Sequence, residues 1–100
     1  MKTTIQEQEN HILVTLVGEL DTTAAMEMEE TLAPLSGHNG RDVIIDCTHL
    51  DYIASSGLRV LLSILKQGKA HGSKVVLKNV NNDIREVFRL TGFIDIFNFE

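Results

Sequence analysis

Ser55, Ser56 and Gly57 are the residues whose types and spacing point most directly to chemistry. They stand between an apolar, β-branched run over residues 43–47 and a stretch in which Leu58, Leu61, Leu62 and Leu65 recur at helical spacing. A serine delivered to the first turn of a helix meets unpaired backbone N–H groups and the positive end of the helix dipole. That setting stabilises a hydroxyl oxygen, or a phosphate carried on it. The same placement suits a plain helix cap, with Ser55 or Ser56 accepting from the first turn, and this structural role stands beside the functional one. Gly57 favours the second: glycine weakens the first turn of a helix unless another backbone or a ligand must approach closely.

Other combinations of reactive residues carry less. His49 with Asp46 or Asp51 and Ser56 has the composition of a hydrolase triad, but a nucleophile elbow reads G-x-S-x-G. Ala54 and Leu58 occupy those places around Ser56, and Ile53 and Gly57 around Ser55. His11, His38, His49 and His71 fall on separate elements without the i, i+4 spacing that puts two metal ligands on one helix face, so they read as surface or structural histidines. Cys47 has no second cysteine to pair with and follows a buried run, which makes it a small core residue. No phosphate-binding or dinucleotide-binding glycine loop occurs, and no metal or other cofactor is expected.

Positioning the serines requires a scaffold, and the pattern supplies one. Residues 11–17 alternate as a strand with both faces at least partly covered, closed by Gly18. Residues 4–8 suit an edge strand joined to it through a turn at Glu9 and Asn10. Asp21 and the threonines after it are helix caps, and Ala25, Met28 and Leu32 follow at helical spacing up to Ala33, where Pro34 intervenes. Residues 36–41 read as a loop and 43–47 as a buried central strand. The second helix carries the leucine stripe, with Leu58 facing the core, and ends before Gly72. Residues 75–77 form another buried strand. Asn81 caps a third helix bearing Ile84, Val87 and Phe88, which Gly92 stops. Residues 94–99 make a last short strand or an irregular tail. The expected fold is α/β: a mixed sheet of four to five strands, antiparallel at its N-terminal hairpin and parallel afterwards, packed against three to four helices. In open α/β sheets the crevice beyond the carboxyl ends of the strands is the usual functional edge, which is where the serines fall.

Three segments, VGELDTTAA, VIIDCTHLDYIASSGLRVLL and VVLKNVNNDIREVFRLTGFIDIF, together resemble the STAS family of anti-sigma factor antagonists in order and in spacing. The resemblance covers nearly the whole chain and implies a STAS fold over residues 1–100. It also implies a partner switch: the unphosphorylated domain binds an anti-sigma factor that is itself a serine kinase, freeing a sigma factor, and a kinase and a phosphatase set the balance. The family's modified serine precedes the motif glycine, which carries over to Ser56. Its Gly-Glu-Leu-Asp segment carries over to Gly18, Glu19, Leu20 and Asp21. The partner-binding surface so implied comprises Asp21, Thr22, Ser55, Ser56 and Gly57, and Gly57→Arg is expected to abolish binding while leaving the fold intact. Ala54 stands where the family commonly has an acidic residue. The family also includes subunits of lipid-transport ABC complexes that dock on the ATPase, the alternative reading here.

The resemblance implies a regulatory binding domain rather than an enzyme, and composition bounds only the class of chain. One hundred residues suffice for one compact domain, and 43% hydrophobic with 23% charged residues is ordinary for a globular chain. The net charge of -5, with Lys66, Lys69, Lys74 and Lys78 dispersed, disfavours direct contact with nucleic acid. The start MKTTIQEQEN lacks the features of a signal peptide, and no apolar run is long enough to insert in a membrane. With a lone cysteine, a cytoplasmic location is expected.

Overall fold

The computed structural model describes residues 1–32 and 40–100. In chain order its elements are β1 (Lys2–Glu7), β2 (His11–Leu20), α1 (Thr22–Leu32), β3 (Asp42–Ile53), α2 (Ser55–Ala70), β4 (Val75–Lys78), α3 (Asn82–Leu90) and β5 (Asn98–Phe99). The strands form one sheet in the order β1-β2-β3-β4-β5. The β1 and β2 strands are antiparallel, and every later pairing is parallel. The expected turn at Glu9 and Asn10 joins the hairpin, closed by Gln8 N–H donating to the His11 carbonyl at 2.8 Å. The expected end of the first helix at Ala33 and most of the expected loop over 36–41 lie outside the described residues.

Each parallel crossover advances by one strand in the same direction, so right-handed connections put all three helices on one face of the sheet. That face carries Ile12, Val14, Leu16 and Leu20 of β2, Val43, Ile45, Cys47, Leu50 and Ile53 of β3, and Val75 and Leu77 of β4, all buried. Leu58, Leu61 and Leu65 of α2 pack onto it, with Leu58 1% exposed, as the leucine stripe requires. Burial pushes the Cys47 thiol up to about 12, so it stays protonated and packs as a core residue. At the C-terminal edge Phe88 meets Phe97 and Phe99 edge-on, with ring centroids 5.3 and 5.2 Å apart.

The opposite face is partly covered over residues 11–15, as the alternation predicts, and open at Val17. No helix among the described residues covers it. Leu13 and Thr15 are half-buried, and Val17 is 39% exposed. The strand also continues through Gly18 to Leu20, Gly18 taking φ +108°.

The third strand runs six residues beyond its expected end at Cys47. Its ladder with β2 slips twice: Thr15 pairs with Asp46 but Val17 with His49, and Gly18 pairs with Leu50 but Glu19 with Tyr52. At each slip β3 holds one residue more than β2, which is a β-bulge. The bulges stretch the spacing of buried residues from two (Val43, Ile45, Cys47) to three (Leu50, Ile53), keeping them all on the core face. The first slip is pinned by Asp46, whose Oδ1 accepts from the Thr48 hydroxyl at 2.6 Å, from Thr48 N–H at 3.1 Å and from Asn79 Nδ2 at 3.4 Å. The Thr48 hydroxyl above all holds the Asp46 carboxyl below the usual carboxylate range.

The third helix is docked by its cap. Asn81 Oδ1 accepts from Ile84 N–H at 2.8 Å, while its Nδ2 donates to the Leu50 carbonyl of β3 at 3.2 Å. Asn81→Ala is expected to cost about 1 to 2 kcal/mol in urea denaturation. Asn81→Asp, which keeps the cap but cannot donate to Leu50, should fall between the two. A cost indistinguishable from zero for the alanine variant would show that α3 is held by its apolar face alone.

Candidate functional site

Two strand ends set the geometry. Leu20 and Ile53 pair as the last residues of β2 and β3, and Ala54 N–H donates to the Leu20 carbonyl at 2.9 Å. From this junction both helices depart within a residue or two. On one side Asp21 caps α1, its Oδ1 accepting from Ala24 N–H at 2.9 Å and its carbonyl from Ala25 N–H at 2.8 Å. On the other, α2 starts at Ser55 directly after Ala54. Thr22, first in α1, and Ser56, second in α2, consequently face each other, and the Ser56 hydroxyl donates to Thr22 Oγ1 at 3.2 Å.

Neither serine is the cap. Ala54 holds the N-cap position with an extended backbone, and no side chain accepts from the first turn of α2. The capping role left open for Ser55 or Ser56 is therefore not the one taken: Ser55 is exposed, and Ser56 is half-buried with its hydroxyl turned to α1. Ala54 also explains the weight of its position, since an acidic side chain there would occupy the first-turn N–H groups and place a charge beside Ser56. Ala54→Ser should raise stability by about 1 kcal/mol by supplying the missing cap, measured as a shifted denaturation midpoint with unchanged slope. No shift would mean that solvent already satisfies those groups at no cost.

Gly57 is where sequence reasoning misjudged the consequence. It is buried, and a Cβ there would lie 2.7 Å from Leu20 Cγ, 3.0 Å from the Leu20 carbonyl oxygen and 3.1 Å from Ile53 Cγ1. The close approach inferred from glycine is real, but the approaching backbone is the chain's own second strand. Gly57→Arg is consequently not a substitution that spares the fold.

Beyond the hydroxyl pair, α1 and α2 enclose a groove lined by Thr22, Ala25, Met26 and Glu29 on one side and Ser56, Arg59 and Val60 on the other. Met26 is 63% exposed. Met26 and Glu29 were not singled out from the sequence, although Thr22, Met26 and Glu29 recur at i, i+4 and i+7 on a single helix face. His49 lies on the open face of the sheet opposite Val17, and among the described residues no hydrogen bond joins it to Ser56. No group of three or more potential metal ligands gathers among the described residues, and no described helix is long and apolar enough to cross a membrane.

A sequence model of the STAS domain matches residues 2–100. The chain belongs to the STAS domain family. This STAS domain is 35% identical over 97 residues to a candidate anti-sigma factor antagonist, BtrV, of Bordetella bronchiseptica, covering 97% of this chain and 84% of that one. It is 32% identical over 94 residues to the anti-sigma-B factor antagonist of Bacillus subtilis, covering 94% and 85%. Its fold is that of the Bacillus anti-sigma factor antagonist SpoIIAA. The unphosphorylated form superposes with a TM-score of 0.78 at 18% identity, over 99% of this chain and 87% of that one. The phosphorylated form gives 0.77 at 19% identity, over 99% and 91%. The mixed five-stranded sheet with its N-terminal hairpin is thus the STAS architecture expected from the three motifs.

Proposed function

We propose that this STAS domain is an anti-sigma factor antagonist that works by binding rather than catalysis. In its unmodified form it holds an anti-sigma factor with serine kinase activity, freeing a sigma factor in the cytoplasm, and phosphorylation of Ser56 ends the complex until a phosphatase restores it. The names of its relatives support the class of function. The observation that carries the switch is the placement of Ser56: its hydroxyl is half-exposed, at the second position of a helix whose first turn no side chain caps. Phosphoryl transfer forms the bond from Ser56 Oγ to the γ-phosphorus of a nucleoside triphosphate and breaks that phosphorus's bond to the β–γ bridging oxygen. The hydroxyl proton leaves to a base on the kinase. The product phosphate then faces free N–H donors and the positive helix end.

The proposed contact surface is the exposed rim around that serine, Asp21, Thr22, Ser55 and Ser56, with Gly57 beneath it allowing α2 to seat against Leu20. Affinity capture from the native cell, followed by phosphopeptide mapping with the recovered kinase, tests the reading. Recovery of a kinase with a sigma factor, and phosphate on Ser56, is the expected result. Phosphate confined to Ser55 would overturn the site, and recovery of a transporter ATPase alone would replace the function.

A further inference from the structure

We propose that Thr22 is the positioning residue of the switch at Ser56, its hydroxyl accepting from Ser56 in the unmodified domain and donating to the phosphate in the modified one. The inference rests on Ser56 as the modified residue and goes beyond it to the group that holds each state. The starting observation is the 3.2 Å approach of the two hydroxyls, with the Ser56 hydroxyl placed to donate to Thr22 Oγ1; either hydroxyl has a proton to give. The two partners come from different helices, and both are fixed from below. Asp21 fixes the first turn of α1, and the Ala54 to Leu20 bond fixes the start of α2. The backbones that carry the two hydroxyls are therefore both anchored by the scaffold.

A hydroxyl carries one proton and two acceptor lone pairs. While Ser56 donates, Thr22 acts as acceptor and the Ser56 lone pairs point away from α1, open to a reacting phosphorus. Esterification removes the only proton on Ser56 Oγ, so the bond cannot survive in its original sense. Thr22 still has its own proton, and the nearest new acceptors are oxygens of a dianion, to which hydrogen bonds are roughly twice as strong as neutral ones. After phosphorylation Thr22 is thus the one member of the pair that can donate. Threonine and serine can play both parts at position 22, whereas valine, of nearly the same shape, can play neither. The charged groups that share the groove are Glu29 of α1, which opposes a dianion, and Arg59 of α2, which favours it. Asp21 remains committed to the α1 cap.

The test needs no kinase. Phosphoserine is installed at position 56 by genetic encoding, and its second ionisation is followed by ³¹P NMR in the parent and in Thr22→Val, Thr22→Ala and Thr22→Ser chains. Loss of the donor should raise the midpoint by about half a unit in the valine and alanine variants, with the serine variant returning to the parent value. Thermal melting of the unmodified variants separates a loosened α1 from a lost hydrogen bond, because serine and alanine differ in the second and resemble each other in bulk. Coincident titrations for all four chains would overturn the role of Thr22, as would a serine variant that titrates with valine. Should mapping find Ser55 as the natural site, the functional reading falls while this titration still decides whether Thr22 holds a phosphate at 56.

Discussion

Phosphorylated at Ser56, the domain is expected to bind its anti-sigma partner about a hundredfold to a thousandfold more weakly than the unmodified form, with its own fold unchanged. The asymmetry between the two sides of the interface is the reason. The domain offers its phosphate the open first turn of α2 and the Thr22 hydroxyl. The partner must strip water from a dianion at the centre of the contact, and a poorly paired buried charge costs several kcal/mol. A loss of about 3 to 4 kcal/mol corresponds to the stated range. Ser56→Asp should bind weakly, since one carboxylate carries part of the same charge to the same place. Ser56→Ala should bind nearly as the parent does while resisting phosphorylation. Calorimetric titration of the purified partner against the four forms reads all of this at once. Undiminished affinity of the phosphorylated form would remove the switch.

Gly57→Arg is expected to destabilise the domain by about 2 to 3 kcal/mol, enough to lower the melting temperature by roughly 10 to 20 °C in a chain of this size. Two opposing effects must be weighed. Replacing glycine within a helix gains up to about 1 kcal/mol of helix propensity. Against this, the new Cβ meets the Leu20 carbonyl at 3.0 Å, and that oxygen also accepts from Ala54, so it cannot retreat without breaking the junction that starts α2. Overpacking of this kind typically costs 1 to 3 kcal/mol, and the arginine side chain adds to what the Cβ alone displaces. Gly57→Ala should therefore also destabilise, by a smaller amount. A stable alanine variant in chemical denaturation would show that α2 can shift away from β2 cheaply, and the tight junction would lose its importance. Binding data from either variant are interpretable only beside its denaturation curve.

Much of this architecture is legible in the chain because local signals and tertiary demands coincide. Leu58, Leu61 and Leu65 announce the buried side of α2, and Asn81 announces the start of α3 and is found capping it. Where the two diverge, the reading fails for identifiable reasons. Residues 48–53 were missed as strand because two bulges convert an alternating pattern into steps of three, which no period of two detects. Gly18 suggested a stop, yet its positive φ is accommodated inside β2. On the sheet's other face the alternation predicts partial cover, which holds at Leu13 and ends at Val17, because alternation cannot tell a helix layer from neighbouring strands. At the candidate site the motif pointed to the serines, but the hydroxyl partner of Ser56 lies 34 residues away and emerges only when two helices start side by side.

The strand order has a bearing on how such a chain assembles. Spatial order equals chain order across all five strands, so no strand must be inserted between two that are already paired. The β1–β2 hairpin closes over a short turn, and each later crossover adds one strand to a single growing edge, in the direction in which a ribosome releases the chain. Thr22 and Ser56 both belong to elements that precede β4, α3 and β5 in the chain. The hydroxyl pair at the candidate site is thus encoded upstream of the aromatic edge, whose Phe88, Phe97 and Phe99 come from the last elements of the chain.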